Sequence, residues 1–239
     1  MQTQNIFNLT ELWKLGGLLS GKLISEKEVY ASMAGIGSWP NKLWIDGHLT
    51  AEKLKTASSI VKGKQLSFAL WEEKVNEKLL TVNGFRLESE LIGMSRYLSD
   101  FSVSGNLEVI LKKVNTSVEA PIWSQVFFDA FGYEIQPPTL LSLIEKVEFF
   151  LAWFEEKPIG TSMIFRDFQG ITGIYSIGVV PAFRGKGLAN QLFEATLSEV
   201  NKTGSSSVIL QASAMGLGLY LKYGFQPDFK IKFYKKIKK

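Results

Sequence analysis

Two short stretches of the 239-residue chain combine residue types and spacings that could do chemistry. The first is Arg184-Gly185-Lys186-Gly187-Leu188-Ala189, which follows the apolar run Val179-Val180 and opens a helical pattern. A strand feeding a glycine-rich turn and then a helix presents backbone N–H groups that no helical carbonyl can satisfy, so such a turn suits an anion. Glycine at 185 and 187 removes the Cβ that would hold a phosphate at a distance. The helix behind it adds about half a positive charge at its first turn. The spacing is neither the dinucleotide fingerprint nor a P-loop. The second stretch, Leu219-Tyr220-Leu221-Lys222-Tyr223-Gly224-Phe225, offers a phenol. With an ordinary pKa of about 10, Tyr220 is protonated at neutral pH and can act as a donor.

Composition narrows the chemistry further. There is no cysteine and a single histidine, His48. Disulfides, thiolate metal sites and a cysteine nucleophile are thereby excluded, and neither a Ser/His triad nor a metal site is expected. A cysteine-free chain fits a reducing compartment, so the cytoplasm is the expected location. No apolar run approaches the roughly 20 residues of a membrane span, and Met1 to Lys14 lacks the order of a signal peptide, so no membrane partner is expected. The net charge of +4 is concentrated in the last ten residues, which hold six lysines, and without them the balance turns negative. Phe229, Ile231 and Phe233 alternate there with Lys230 and Lys232, the pattern of an edge strand guarded by lysine rather than of a nucleic-acid surface.

The elements that must position these residues follow from periodicity. Strands are expected at Leu107 to Val114, Val147 to Phe154, Ile159 to Arg166, Ile171 to Val180, Ser206 to Gln211 and Phe225 to Tyr234. Helices are expected near Ala120 to Phe131, just after Pro137-Pro138, at Leu188 to Val200 and at Met215 to Tyr223. The three strands between Val147 and Val180 should form an antiparallel meander.

Both motifs, set in that order of elements, resemble the GCN5-related N-acetyltransferases (GNAT) over roughly Asn106 to Lys239. The resemblance implies a mixed α/β acyl-CoA N-acyltransferase fold, its central sheet mostly antiparallel and flanked by helices. It implies acetyl-CoA as co-substrate, with Arg184, Gly187 and Ala189 filling the family's pyrophosphate turn and Gly185, Lys186 and Leu188 completing it. The backbone of Ile177 and Val179 would pair with the pantetheine arm. Ser213 stands where many relatives carry asparagine, and Tyr220 falls beside the thioester sulfur. Many relatives place a glutamate on the fourth strand, yet Ile171 to Val180 has no carboxylate. Glu148 and Tyr175 are the nearest candidates for a base, while Asp129 and Glu134 could orient a cationic acceptor. The implied activity is acetyl transfer to a small-molecule or peptide amine by direct attack in a ternary complex. The alternative is a noncatalytic acyl-CoA-binding or sensing module. A homodimer is compatible with either reading.

Residues 1 to 101 carry no catalytic motif but echo the second half. Leu79-Leu80-Thr81-Val82-Asn83-Gly84-Phe85 lines up with Leu219 to Phe225, setting Leu80 against Tyr220, and Pro40 falls against Pro181. Asn41 to Gly47 then stands where the glycine-rich turn would be. A degenerate GNAT-like domain at 1–101, preceding a catalytic domain at 102–239, is expected, with an unrelated α+β domain as the alternative. The join is expected within Ser99 to Gly105.

Overall fold

The computed structural model describes residues 1–71, 75–98 and 107–237. The expected join, Ser99 to Gly105, lies outside them. The first part of the chain forms α1 (Gln2–Ser20), β1 (Gly21–Glu26), β2 (Val29–Ala34), β3 (Lys42–Ile45), α2 (Ala51–Ile60), β4 (Ser67–Leu70), α3 (Glu77–Val82) and β5 (Phe85–Tyr97). The second forms β6 (Ile110–Lys113), α4 (Glu119–Phe131), α5 (Pro137–Leu143), β7 (Val147–Phe154), β8 (Lys157–Arg166) and β9 (Thr172–Val179). It closes with α6 (Leu188–Lys202), β10 (Ser207–Ala212), α7 (Leu217–Lys222) and β11 (Gln226–Lys236). Every element expected after residue 106 is present, the first strand shortened to the residues that pair with β7.

One mixed sheet runs through the described residues in the order β1-β2-β3-β4-β11-β5-β10-β9-β8-β7-β6. Only β3 with β4 and β9 with β10 pair in parallel, and the remaining neighbours are antiparallel. The succession β-β-β-α-β-α-β therefore occurs twice, as β1 to β5 and as β7 to β11. The last strand of each succession lies inside the other's territory: β11 sits between β4 and β5, and β5 between β11 and β10.

Both faces of the sheet are covered, which is why the central strands read as near-continuous apolar runs. In β7, Phe149 and Leu151 enter a core shared with α1, α4 and α5 through Leu12, Trp13, Trp123, Phe127 and Leu140. Phe150 from the same strand enters the opposite core, with Phe193 and Leu197 of α6, Tyr220 of α7 and Phe225. The first half has its own core on that side, built from Leu43, Ile45, Leu54, Phe68 and Leu80. Leu80 and Tyr220 are both buried, and the glycine after each helix, Gly84 and Gly224, has φ near +75°.

Two sequence expectations need correction. β11 is not an edge strand, since β4 and β5 flank it. Its lysines have carboxylates opposite them: Lys230 lies 3.8 Å from Glu90, Lys232 2.6 Å from Glu77 and Lys235 3.3 Å from Glu88. Nor does Asn41 to Gly47 replace the glycine-rich turn. Leu43, Trp44 and Ile45 are buried on alternate faces and make β3, and the connection into α2 is the segment after Ile45. There the Thr50 hydroxyl caps the Lys53 N–H at 3.2 Å, so a side chain already occupies that helix end.

Helix α1 ties the layers together through two fully buried asparagines. Asn5 Nδ2 donates to the carbonyls of Met94 on β5 (3.0 Å) and Leu210 on β10 (3.2 Å), and Gln211 Nε2 donates to Asn5 Oδ1 at 2.7 Å. Asn8 Nδ2 donates to Asp167 Oδ2 (3.0 Å) and the Ile171 carbonyl (2.9 Å), while Tyr175 donates to Asn8 Oδ1. Asp167 also accepts the N–H groups of Gln169 and Ile171, closing the β8–β9 hairpin. Asn8→Ala leaves a buried phenol, a carboxylate and a carbonyl short of partners. It should lower unfolding free energy by about 3 kcal/mol in a denaturant titration, against well under 1 kcal/mol for an exposed control such as Asn201→Ala.

Candidate active site

Strands β9 and β10 pair at only two rungs, Thr172 with Val208 and Gly173 with Ile209. Beyond them the strands part, and the space between opens into a cleft of about 630 Å³. Ile174, Tyr175, Ser176 and Ile177 of β9 line it on one side, and Gln211, Ser213 and Tyr220 on the other. A bulge in β9 shapes the wall: the register to β8 slips between Met163 and Thr161, and Ser176 takes φ +55°. The Thr161 hydroxyl holds that turn by donating to the Ser176 carbonyl at 2.8 Å.

The register also says which backbone groups are offered to the cleft. Val180 N–H bonds the Ile159 carbonyl on β8, so along this strand Gly178 and Val180 face β8. Ile177 and Val179, one residue out of phase, turn their amides and carbonyls toward the opening. The Val179 carbonyl is already used, accepting from Arg184 Nε at 2.9 Å.

The glycine-rich turn lies where β9 ends and α6 begins. Gly185 and Gly187 both have φ +76°, a conformation side chains disfavour, and open space surrounds the position of a Cβ at each. The N–H groups of Gly185 to Ala189 have no backbone partner among the described residues. Arg184 is exposed but anchored: besides the Val179 carbonyl, its Nη2 donates to the Ala130 carbonyl at the end of α4, at 2.8 Å. The turn thus offers an anion its backbone amides, with the remaining guanidinium N–H groups of Arg184 exposed beside it. Leu188 buries its side chain in the core below, and Lys186 stays exposed, its ammonium 5.2 Å from the Phe183 ring.

Tyr220 is buried by an edge contact with Phe193 (5.0 Å between ring centroids) and a tilted one with Phe225 (6.2 Å). Tyr220 lines the cleft, and its hydroxyl has no hydrogen-bond partner among the described residues. Burial pushes its pKa up to about 12, so the phenol stays a donor throughout the neutral range. Tyr175 is held differently: burial and the nearby Asp167 charge raise its pKa, and its proton is committed to Asn8. Glu148 does not line the cleft. It is ion-paired with Lys113 of β6 at 2.7 Å, on the far side of β8 and β9. Asp129 accepts from Gln125 and Glu134 from Gln136, both outside the cleft lining.

Sequence reasoning did not find the opposite wall. Leu9, Leu12 and Trp13 of α1, the loop residues Ser38 and Trp39, and Lys42, Gln65, Ser67, Glu88 and Ser89 all line the same cleft. The one available signal was Asn5 and Asn8, polar residues one helical turn apart amid Leu9, Leu12 and Trp13, which mark a helix face that must satisfy buried polar groups.

The fold is of mixed α/β architecture, a mostly antiparallel sheet flanked by helices. A profile described as "Acetyltransferase (GNAT) domain" matches residues 112–237, more than half of the chain, and the chain belongs to that family. Among solved structures, the GCN5-related N-acetyltransferase from Kribbella flavida superimposes with a TM-score of 0.70 at 16% identity, covering 97% of this chain and 96% of that one. A functionally unknown conserved protein from Staphylococcus epidermidis gives 0.66 at 18% identity over 91% and 95%. A GCN5-related N-acetyltransferase-like protein from Streptococcus suis gives 0.60 at 13% over 98% and 99%. These likenesses establish the fold along nearly the whole chain. No curated protein matches the sequence.

Because the Tyr220 hydroxyl has no hydrogen-bond partner among the described residues, its removal should cost the fold little. Tyr220→Phe is expected to melt within a few degrees of the parent, a change of no more than about 0.5 kcal/mol. A large loss of stability would mean the hydroxyl is a structural bond after all.

Proposed function

We propose that the protein transfers an acetyl group from acetyl-CoA to an amine, the amine attacking directly in a ternary complex. One observation carries the reading: the parting of β9 and β10 runs from an amide-lined turn at one end to a neutral, unpartnered phenol at the other. Acetyl-CoA would supply a pyrophosphate, an extended arm and an activated thioester, and each finds complementary groups here. The amides of Gly185 to Ala189 and the first turn of α6 suit the pyrophosphate. The open backbone of Ile177 and the Val179 amide suit the arm, with Ser213 across from them.

In the transfer, the nitrogen lone pair forms the C–N bond as the C–S bond breaks, and the sulfur leaves as a thiolate. Tyr220 donates to the developing charge. At a pKa of about 12 it remains protonated and acts by hydrogen bonding, because complete proton transfer to a thiolate of pKa near 8.5 would be uphill. The amine's proton passes to solvent, since β9 carries no carboxylate and Tyr175 is engaged by Asn8. Residues 1–101 are read as a degenerate half and 102–239 as the catalytic unit. Support comes from the repeated succession of elements, the Leu80 and Tyr220 correspondence, and a helix end at Thr50 that its own side chain fills.

Thiol release from acetyl-CoA across a panel of amines tests the activity. Tyr220→Phe should cut turnover about 100-fold while CoA affinity, measured by calorimetry, changes less than about twofold. Tight CoA binding with no thiol release for any acceptor would instead identify a noncatalytic acyl-CoA-binding module. With a simple alkylamine, kcat/KM should climb about tenfold per pH unit toward the amine's own pKa of about 10.4. A plateau near neutral pH would reveal a protein base.

A further inference from the structure

The wall of the cleft contributed by the first half carries an unmatched positive charge. The charged residues lining the cleft are Lys42 and Glu88 from that half and Lys235 from β11. Glu88 is taken by Lys235 at 3.3 Å. The ammonium of Lys42, the first residue of β3, has no hydrogen bond and no carboxylate within 4.0 Å among the described residues, and it lies 5.0 Å above the Phe233 ring of β11. Withdrawing an ammonium from water without an anion is unfavourable, and here burial lowers the Lys42 pKa to about 8, with Glu88 opposing the shift. A cation kept in a cleft at that cost suits a ligand that brings the missing negative charge.

We propose that Lys42 binds a carboxylate on the acceptor, so that the substrate is an elongated primary amine with an acidic group at its far end. This rests on the acetyl-transfer reading and specifies its acceptor. A surplus of one positive charge matches a monoanion, and it disfavours polyamines, for which the cleft would need surplus carboxylates. Geometry sets the length. Lys42 reaches over β11, and β11, β5 and β10 are successive strands, so its ammonium stands about 10 Å across the sheet from the opening at β10. Trp13, Trp39, Phe131 and Tyr133 line the cleft as well, an apolar surround for a linker. An extended tripeptide with a free amino terminus, at about 3.5 Å per residue, covers that span, as does a long ω-amino acid.

Thiol release should therefore be compared for ω-aminooctanoate, its methyl ester, octylamine and glycine, the last too short to bridge the cleft. The acid should exceed its ester in kcat/KM by roughly 10- to 100-fold, the range of one charge-assisted bond, and the difference should lie in KM. Lys42→Met should bring the acid-to-ester ratio near unity, and Lys42→Arg should retain most of it. Equal rates for acid and ester in the parent, or a preference surviving in Lys42→Met, would overturn the assignment. If no acceptor releases thiol, the transfer reading fails by itself, and calorimetry of ω-aminooctanoate on the CoA-loaded protein still decides the site. Binding that Lys42→Met abolishes supports it, and binding that is absent or unaffected rejects it. Circular dichroism of both variants separates a lost contact from a lost fold.

Discussion

Two parallel strands that part inside a sheet leave carbonyl and amide groups without a ladder, and everything at this site depends on how that gap is kept open. A sheet left to itself would close it, because each added rung satisfies two backbone groups. Here α1 lies across the base of the gap. Asn5 spans β5 and β10 at one rung, and Asn8 holds the hairpin before β9 together with Tyr175 of β9 itself. Gly173 belongs to the same arrangement, since a Cβ there would come within 2.3 Å of Asn8 Oδ1. Asn5 thus fixes β10 to β5 on one side of the gap and Asn8 fixes β9 and its hairpin on the other.

The electrostatics of the cleft follow from what is buried and what is left unpaired. At one end, backbone amides with no backbone acceptor among the described residues favour negative charge, while two N–H groups of Arg184 are engaged by the carbonyls of Val179 and Ala130. At the other, the apolar packing of Phe193 and Phe225 keeps Tyr220 neutral, so it is a donor whose charge state does not vary near neutral pH. Across the sheet Lys42 adds a cation on a wall built from the opposite half of the chain. Hydrogen-bond donors therefore surround the cleft from three sides.

The exchanged strands make the two halves a single structural unit. β5 lies against β10, and the Glu88 and Glu90 carboxylates it carries face the lysines of β11. These pairs are exposed, so each contributes little to stability by itself. Their larger effect is on register: moving β11 by one residue would set its lysines against the other face and drive Ile231 and Phe233 out of the core. The wall carrying Lys42 is thereby held in fixed relation to the wall carrying Tyr220.

Much of the second half was legible in the sequence because its signals are local. Apolar periodicity located the strands from Val147 to Val180, Pro137-Pro138 opened α5, and the spacing of Gly185 and Gly187 marked the turn whose positive φ angles the fold uses. Tyr220 could be singled out by its setting before Gly224-Phe225, and the absence of cysteine excluded whole classes of chemistry. What the sequence could not determine is long-range. That β11 is interior depends on β4 and β5, about 150 residues away in the chain, and the alternation of lysine with apolar residues looks the same at an edge as beside a strand of glutamates. Lys42 in sequence is an ordinary strand lysine, and Glu148 an ordinary candidate base. Only the tertiary structure sets the first in a cleft with no carboxylate within 4.0 Å among the described residues and the second beside Lys113, because charge neutralisation depends on which strands become neighbours rather than on residue type.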